Sequence, residues 1–184
     1  MKKLMFIAAA ALVFCANAAI CNWDVDTVYN PSTGDTSTGF LVYYFDADTA
    51  GTSVSDANTA LASKNAATIN AFLANGYAAD DVTDDGSTGG FTPDIYGNGA
   101  TVNAYLVIFN ADSVASADYA FVSGIESGAT GGLGQSANIS FGDLDDTATL
   151  ANWTKISSGG IPEPTSGLLL LVGGAMLALR RKRG

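Results

Sequence analysis

Histidine is absent from this chain of 184 residues. Without an imidazole, the Ser-His-Asp and Cys-His arrangements of nucleophilic enzymes are excluded, and so are the usual zinc sites that use histidine. The sequence also lacks a phosphate-binding glycine motif followed by lysine. Paired carboxylates remain possible, as in glycoside hydrolysis, but no spacing in the sequence selects a particular pair. We therefore predict that the chain is not an enzyme and has no catalytic residues, with a carboxylate-based secreted hydrolase as the weakest alternative.

Basic residues are also scarce, and six of the eight lie near the two ends of the chain. Between residues 19 and 160 only Lys64 and Lys155 remain, against seventeen acidic residues, so this region has a formal charge of −15. A surface this acidic repels nucleic acid and anionic lipid, and it favours solubility and cation binding. We expect no DNA or RNA partner, because nucleic-acid binding depends on basic contacts to phosphate.

Residues 1–18 have the pattern of a secretory signal peptide. Two lysines precede an apolar run from Leu4 to Ala16, and the small-residue pattern Ala16-Asn17-Ala18 ends it. We predict cleavage after Ala18 by the secretory export machinery. A transmembrane anchor is the alternative, but the run is short for a span and ends in small residues.

Cysteine occurs twice, and the predicted cleavage removes Cys15. Cys21 then has no partner within the mature chain, so no disulfide framework is expected in spite of the oxidising destination. With no histidine to activate it, we interpret Cys21 as an incidental thiol near the new N-terminus and not as a nucleophile.

The last twenty-four residues contain three signals in a fixed order. A Pro162-Glu163-Pro164 triplet comes first, and an apolar run from Gly167 to Leu179 follows it. The chain then ends with four basic residues and a glycine; the basic residues are Arg180, Arg181, Lys182 and Arg183. Thirteen helical residues span only about 20 Å, whereas a hydrocarbon core is about 30 Å thick. We therefore predict a marginal transmembrane helix at 165–179. The alternatives are a plain C-terminal membrane anchor and a buried core helix, of which the core helix is the weaker.

The basic cluster predicts the orientation, because positive residues beside a span stay in the cytoplasm. The tail resembles the PEP-CTERM sorting signal of Gram-negative bacteria, which an exosortase recognises in the membrane. The resemblance implies that Pro162, Glu163 and Pro164 form the recognition motif and that Arg180–Arg183 form the cytoplasmic stop. It also implies that an exosortase-like enzyme cleaves near the triplet. The protein would then move from the inner membrane to the cell surface or the extracellular matrix.

Residues 19–156 are predicted to form one exported domain, with 157–160 as a flexible linker. The composition is rich in Ala, Gly, Ser, Thr and Asp, which favours strands and turns. We expect a mainly β fold, an antiparallel sheet or sandwich with one helical region. Apolar and alternating segments predict strands at Trp23–Tyr29, Phe40–Phe45, Val102–Asn110, Ala117–Ser123 and Trp153–Ile156. The acidic, glycine-rich segment Tyr77–Gly90 is predicted to be a loop.

The helical region is predicted from Ser55, which can cap its first turn, to a left-handed stop at Asn75-Gly76. Whether Lys64-Asn65 divides it into two helices is left open. Ile69, Phe72 and Leu73 recur at helical spacing, so one face should pack against the sheet.

An internal echo relates Phe45-Asp46-Ala47-Asp48 to Phe109-Asn110-Ala111-Asp112. The two motifs could end neighbouring strands at one edge of a sheet, or they could be a chance resemblance in an Ala- and Asp-rich chain.

Two binding sites are weaker predictions. Calcium prefers hard oxygen ligands, and aspartates in the loops 80–85 and 143–146 could supply them, although neither loop has the spacing of a helix-loop-helix calcium site. The candidates in the first loop are Asp80, Asp81, Asp84 and Asp85. No other cofactor is expected. Trp23, Trp153 and the tyrosines could instead form a platform on which an extracellular polysaccharide stacks, although most such residues belong to a core.

Overall fold

The computed structural model describes residues 19–36, 39–79, 81–82, 87–93, 95–132 and 135–157. The predicted signal peptide, the predicted transmembrane helix and residues 158–160 of the linker lie outside these ranges. Within the described ranges, no helix combines the length and apolar character that crossing a membrane requires. The described part is mainly β with antiparallel sheets, which confirms the predicted fold class at that level.

The larger sheet is built around β7 (Thr101–Phe109). One edge of β7 pairs with β3 (Leu41–Asp46), and the opposite edge pairs first with β9 (Glu126–Ala129) and then with β8 (Tyr119–Val122). Two short strands complete the sheet, β4 (Tyr77–Ala78) beside β3 and β12 (Thr154–Lys155) beside β8. All these pairs are antiparallel. The strands predicted at 40–45, 102–110, 117–123 and 153–156 are therefore confirmed, with small shifts at their ends.

The smaller sheet has the strand order β10-β1-β6-β5. Its strands are β1 (Cys21–Val25), β5 (Asp81–Val82), β6 (Thr88–Phe91) and β10 (Ala137–Ser140). β1 pairs with β6 in antiparallel and with β10 in parallel orientation. A separate parallel pair joins β2 (Thr27–Val28) to β11 (Asp143–Leu144), and two 3-10 helices, Asp145–Ala148 and Leu150–Asn152, lead into β12.

Two hydrophobic cores of the described residues lie on opposite faces of β7. The sandwich core, between the two sheets, takes Val102, Ala104, Leu106 and Ile108 from β7 together with inward residues of β1, β3 and β10. The helix core takes Tyr105, Val107 and Phe109 from β7 and packs them under the helices. Alternate residues of a strand point to opposite faces, so β7 is buried on both sides from Ala104 to Phe109, as the apolar run there predicts.

The helical region between residues 54 and 73 consists of two helices, α1 (Val54–Ala62) and α2 (Ala66–Leu73). Ser53, not the predicted Ser55, caps α1, because its hydroxyl accepts from the Asp56 N–H and the Asp56 carboxylate accepts from the Ser53 N–H. Lys64 has a left-handed backbone with φ of 52° and ends the first helix. Asn65 then caps the second by accepting from the N–H groups of Ala67 and Thr68.

The predicted left-handed stop at Asn75-Gly76 is wrong, since neither residue has a positive φ. Gly76 is needed for space instead. A Cβ at Gly76 would lie 2.6 Å from Cζ of Phe45, and Phe45 is stacked between Phe72 and Tyr105 in the helix core. The helix ends at Leu73, close to the predicted stop, but Gly76 is required by its packing against Phe45 and not by a left-handed turn.

The predicted loop Tyr77–Gly90 contains three short strands, β4, β5 and β6, and this part of the prediction is wrong. The two glycines of β6 are the reason that a loop is predicted here, because glycine usually weakens a strand. Here they permit close approach: a Cβ on Gly89 would lie 2.7 Å from the Trp23 carbonyl oxygen, and one on Gly90 would lie 3.1 Å from the Trp23 ring.

The strand predicted at Trp23–Tyr29 is interrupted at Asp26, whose N–H donates to the Gly142 carbonyl at 2.9 Å. The alternation changes phase there, since Val25 and Val28 are both buried.

The internal echo does mark neighbouring strands, β3 and β7. Because they are antiparallel, with Leu41 opposite Phe109, the two motifs lie at opposite ends of the pair and not at one edge.

We predict that Phe72→Asp unfolds the domain. The Phe72 ring stacks on Phe45 with centroids 4.6 Å apart, and a carboxylate there would be buried without a partner in the helix core. Asn70→Asp, an exposed position on the same helix, is the matched control and should retain the native unfolding midpoint in urea. A Phe72→Asp protein that keeps a cooperative urea transition near the native midpoint would contradict the packing described here.

Candidate functional site

Most of the predicted site residues lie outside the described part of the chain. These are the sorting triplet Pro162-Glu163-Pro164, the basic stop Arg180–Arg183, the cleavage pattern at Ala16 and Ala18, and Asp80, Asp84 and Asp85. Asp81 lies in β5, with its backbone in register with Gly89. The second calcium candidate is described: Asp143 begins β11, and Asp145 and Asp146 form the start of a 3-10 helix. Among the described residues, no group of three or more His, Cys, Asp or Glu side chains converges on a metal site.

The tryptophans named for sugar stacking are core residues, and that part of the prediction is wrong. Trp23 is 3% exposed and stacks on Tyr44 in the sandwich core. Trp153 is 6% exposed, packs against Phe40 and Phe121, and donates its indole N–H to the Thr147 carbonyl at 2.8 Å. Three tyrosines, at 44, 96 and 105, are buried as well. These five aromatic side chains are therefore not available to stack on a sugar.

The side chain of Phe91, the last residue of β6, is an aromatic group that solvent reaches freely, since it is 61% exposed. It lies on the side of the smaller sheet that faces away from the sandwich core. The neighbouring inward positions of the same sheet are Cys21, Trp23 and Val25, all buried. Phe91 was missed from the sequence because a single phenylalanine after two glycines has no periodic pattern that distinguishes exposure from burial.

The strand register places other outward residues beside Phe91. Asn22 pairs with Phe91 across one side of β1 and with Asn138 across the other, so Phe91, Asn22 and Asn138 form one row across three strands. Gly89, Asp24 and Ser140 form the next row. Residues paired across a sheet project on the same face. We call these two rows the outer face.

The outer face is open to solvent and polar apart from the phenyl ring. Asp24, Asn138 and Ser140 are exposed, and Asn22 is partly exposed. The Asn22 side-chain N–H donates to the Asn138 side-chain oxygen at 3.1 Å. This arrangement provides an aromatic surface next to hydrogen-bonding groups held on strands, which suits binding better than covalent chemistry.

Behind this sheet, polar groups are enclosed in the sandwich core. The hydroxyls of Tyr44 and Tyr96 lie 3.4 Å apart, and burial raises the pKa of both phenols well above the ordinary value. Burial also raises the pKa of the Cys21 thiol, an effect that outweighs the opposite influence of Tyr44. The Trp23 indole N–H is buried with no hydrogen-bond partner among the described residues, and this unpaired donor opposes folding. Cys21 therefore acts as a small core residue and not as a thiol at a mobile terminus.

No protein-family model, curated protein or solved structure matches this chain. The fold defines the described part as a β-sandwich with a helical layer on the larger sheet. Its function must be inferred from the residues themselves.

We predict that Cys21 in the folded protein resists thiol reagents such as DTNB at pH 8. The thiolate is the reactive species, and both burial and the raised pKa suppress it. In a Cys15→Ser chain, the reaction should be on the order of 100-fold slower than in denaturant.

The control for this labelling is a chain with both cysteines replaced by serine and Asn70→Cys added, because position 70 is exposed on α2. Its introduced thiol should react in the folded state about as fast as in denaturant. If Cys21 and the thiol introduced by Asn70→Cys react at equal rates in the folded state, the burial of Cys21 is refuted.

Proposed function

We propose that this chain is an exported, non-enzymatic protein of the cell surface or extracellular matrix. It is held in the inner membrane by its C-terminal helix and released by an exosortase-like enzyme. The observation that carries the proposal is the order of the tail, in which Pro162-Glu163-Pro164, an apolar run and a terminal basic cluster follow one another. The signal-peptide pattern at 1–18 supports the same route independently.

The N-terminal boundary of the domain is compatible with cleavage after Ala18. Ala19 is buried, its N–H donates to the Tyr96 carbonyl at 2.9 Å, and its own carbonyl accepts from the Tyr96 N–H at 3.1 Å. A cut between Ala18 and Ala19 turns this amide N–H into the new α-amino group, which can still donate to the Tyr96 carbonyl, and it keeps the Ala19 carbonyl as the acceptor. Removing the signal therefore costs none of the backbone hydrogen bonds of the described fold at this point.

The C-terminal boundary is compatible with cleavage near the triplet. The N–H groups of Ile156 and Ser157 both donate to the Asp118 carbonyl, at 2.9 and 3.2 Å, and fix the chain beside β8. These hydrogen bonds lie upstream of the triplet, so proteolysis at the triplet leaves the end of the domain attached. The short linker would hold the acidic domain close to the membrane until then, and repulsion from anionic lipid favours its departure afterwards.

We predict that replacing Pro162, Glu163 and Pro164 together by alanine leaves unprocessed, membrane-retained protein. The triplet is the proposed recognition motif, whereas the apolar run that anchors the chain is unchanged. The measurement is intact mass and distribution between membrane and medium, in cells that naturally make the protein. The control is Ser157→Ala combined with Ser158→Ala, which alters the linker and should leave mass and release as in the wild type. If the triple-alanine chain is released with wild-type mass, the sorting proposal fails.

A further inference from the structure

We propose that the outer face binds a neutral polysaccharide, with a sugar ring stacked on Phe91 and its hydroxyls bonded to Asn22 and Asn138. The inference rests on the proposed export in one respect only, because an extracellular polysaccharide is met only by an exported protein. The evidence for this binding site does not involve the tail. It consists of the exposure, the strand register and the hydrogen bonding of residues in the smaller sheet.

Phe91 has the placement that stacking requires. Its ring is 61% exposed, yet its backbone is fixed by pairing with β1. The next residue fixes the strand further, since the Thr92 N–H donates to the Cys21 carbonyl and the Thr92 hydroxyl accepts from the Cys21 N–H, both at 2.9 Å. A phenyl ring held in this way offers a flat apolar surface to the C–H face of a sugar without first losing backbone freedom.

The two asparagines supply complementary polar groups beside the ring. Each side-chain amide has two N–H donors and an acceptor oxygen with two lone pairs. The 3.1 Å hydrogen bond between Asn22 and Asn138 uses one donor and one lone pair and holds both amides in position. The remaining donors and acceptors match sugar hydroxyls, which donate and accept at once. Asp24 and Ser140, both exposed in the adjacent row, extend the polar surface.

Charge selects a neutral polymer over an anionic one. The three strands of the outer face, β1, β6 and β10, contain no lysine or arginine. The region from 19 to 160 carries a formal charge of −15. An acidic polysaccharide, a nucleic acid or an anionic membrane would therefore meet repulsion that no cation on these strands offsets.

Size favours a narrow ligand over a folded protein. Strands lie about 4.8 Å apart and rise about 3.3 Å per residue, so two rows on three strands cover on the order of 100 Å². A stable protein interface buries about 800 Å² on each partner. A single polysaccharide chain lying across the row from Phe91 to Asn138 fits this small face.

The test is affinity electrophoresis of the full chain, purified in a mild non-ionic detergent. Native gels would contain hydroxyethylcellulose, laminarin, dextran or galactomannan as neutral probes, and alginate as the anionic probe. We expect retardation by at least one neutral polymer and none by alginate. Phe91→Ala should weaken that retardation about tenfold or more, the size expected for loss of a central aromatic contact. Asn138→Ala should weaken it as well.

Ile125→Ala is the matched control, because Ile125 is 52% exposed but lies between β8 and β9, outside the outer face. This variant should be retarded like the wild type, and all variants should share its urea unfolding midpoint. The proposal is overturned if no neutral polymer retards the chain or if alginate does so equally. It is also overturned if Phe91→Ala and Asn138→Ala both bind normally, or if Ile125→Ala loses binding to the same extent. Binding is measured on purified protein, so its failure is distinct from failed processing in cells.

Discussion

The burial of β7 on both faces is the constraint on which the rest of the fold depends. Leu106 and Ile108 project into the sandwich core, while Tyr105 and Phe109 project into the helix core. A strand buried on two sides needs a cover on each side, and here the smaller sheet provides one and α1 with α2 the other. The sheets also approach at β9, where a Cβ on Gly128 would lie 2.8 Å from Ile139 of β10.

The long apolar strands could be predicted from the sequence because their own composition specifies them. β3 is apolar from Leu41 to Phe45 and β7 from Ala104 to Phe109, and the range predicted for β7 lies within a residue of its observed ends. Features that depend on distant contacts could not be predicted in this way. Gly89 and Gly90 suggest a loop when considered alone, and only the position of Trp23 explains why they belong in a strand.

The candidate site shows the same division. The sequence indicates which aromatics exist but not which are covered, so Trp23 and Trp153 were natural candidates for stacking although both are buried. The row from Phe91 through Asn22 to Asn138 joins three segments that are far apart in the chain, and the parallel pairing of β1 with β10 is what aligns them. The sorting proposal depends on no distant contacts, since the triplet, the apolar run and the basic cluster follow one another in the sequence.

Native-state hydrogen exchange tests the central role of β7 most directly. Amides of β7 paired with β3 should exchange only through global unfolding, with an opening free energy equal to the free energy of unfolding measured in urea. Amides in the 3-10 segment Asp145–Ala148 should open at lower free energy, because this segment lies outside both sheets. If the β7 amides exchanged through smaller openings than those of β10 or α2, the strand would not be the centre of the fold.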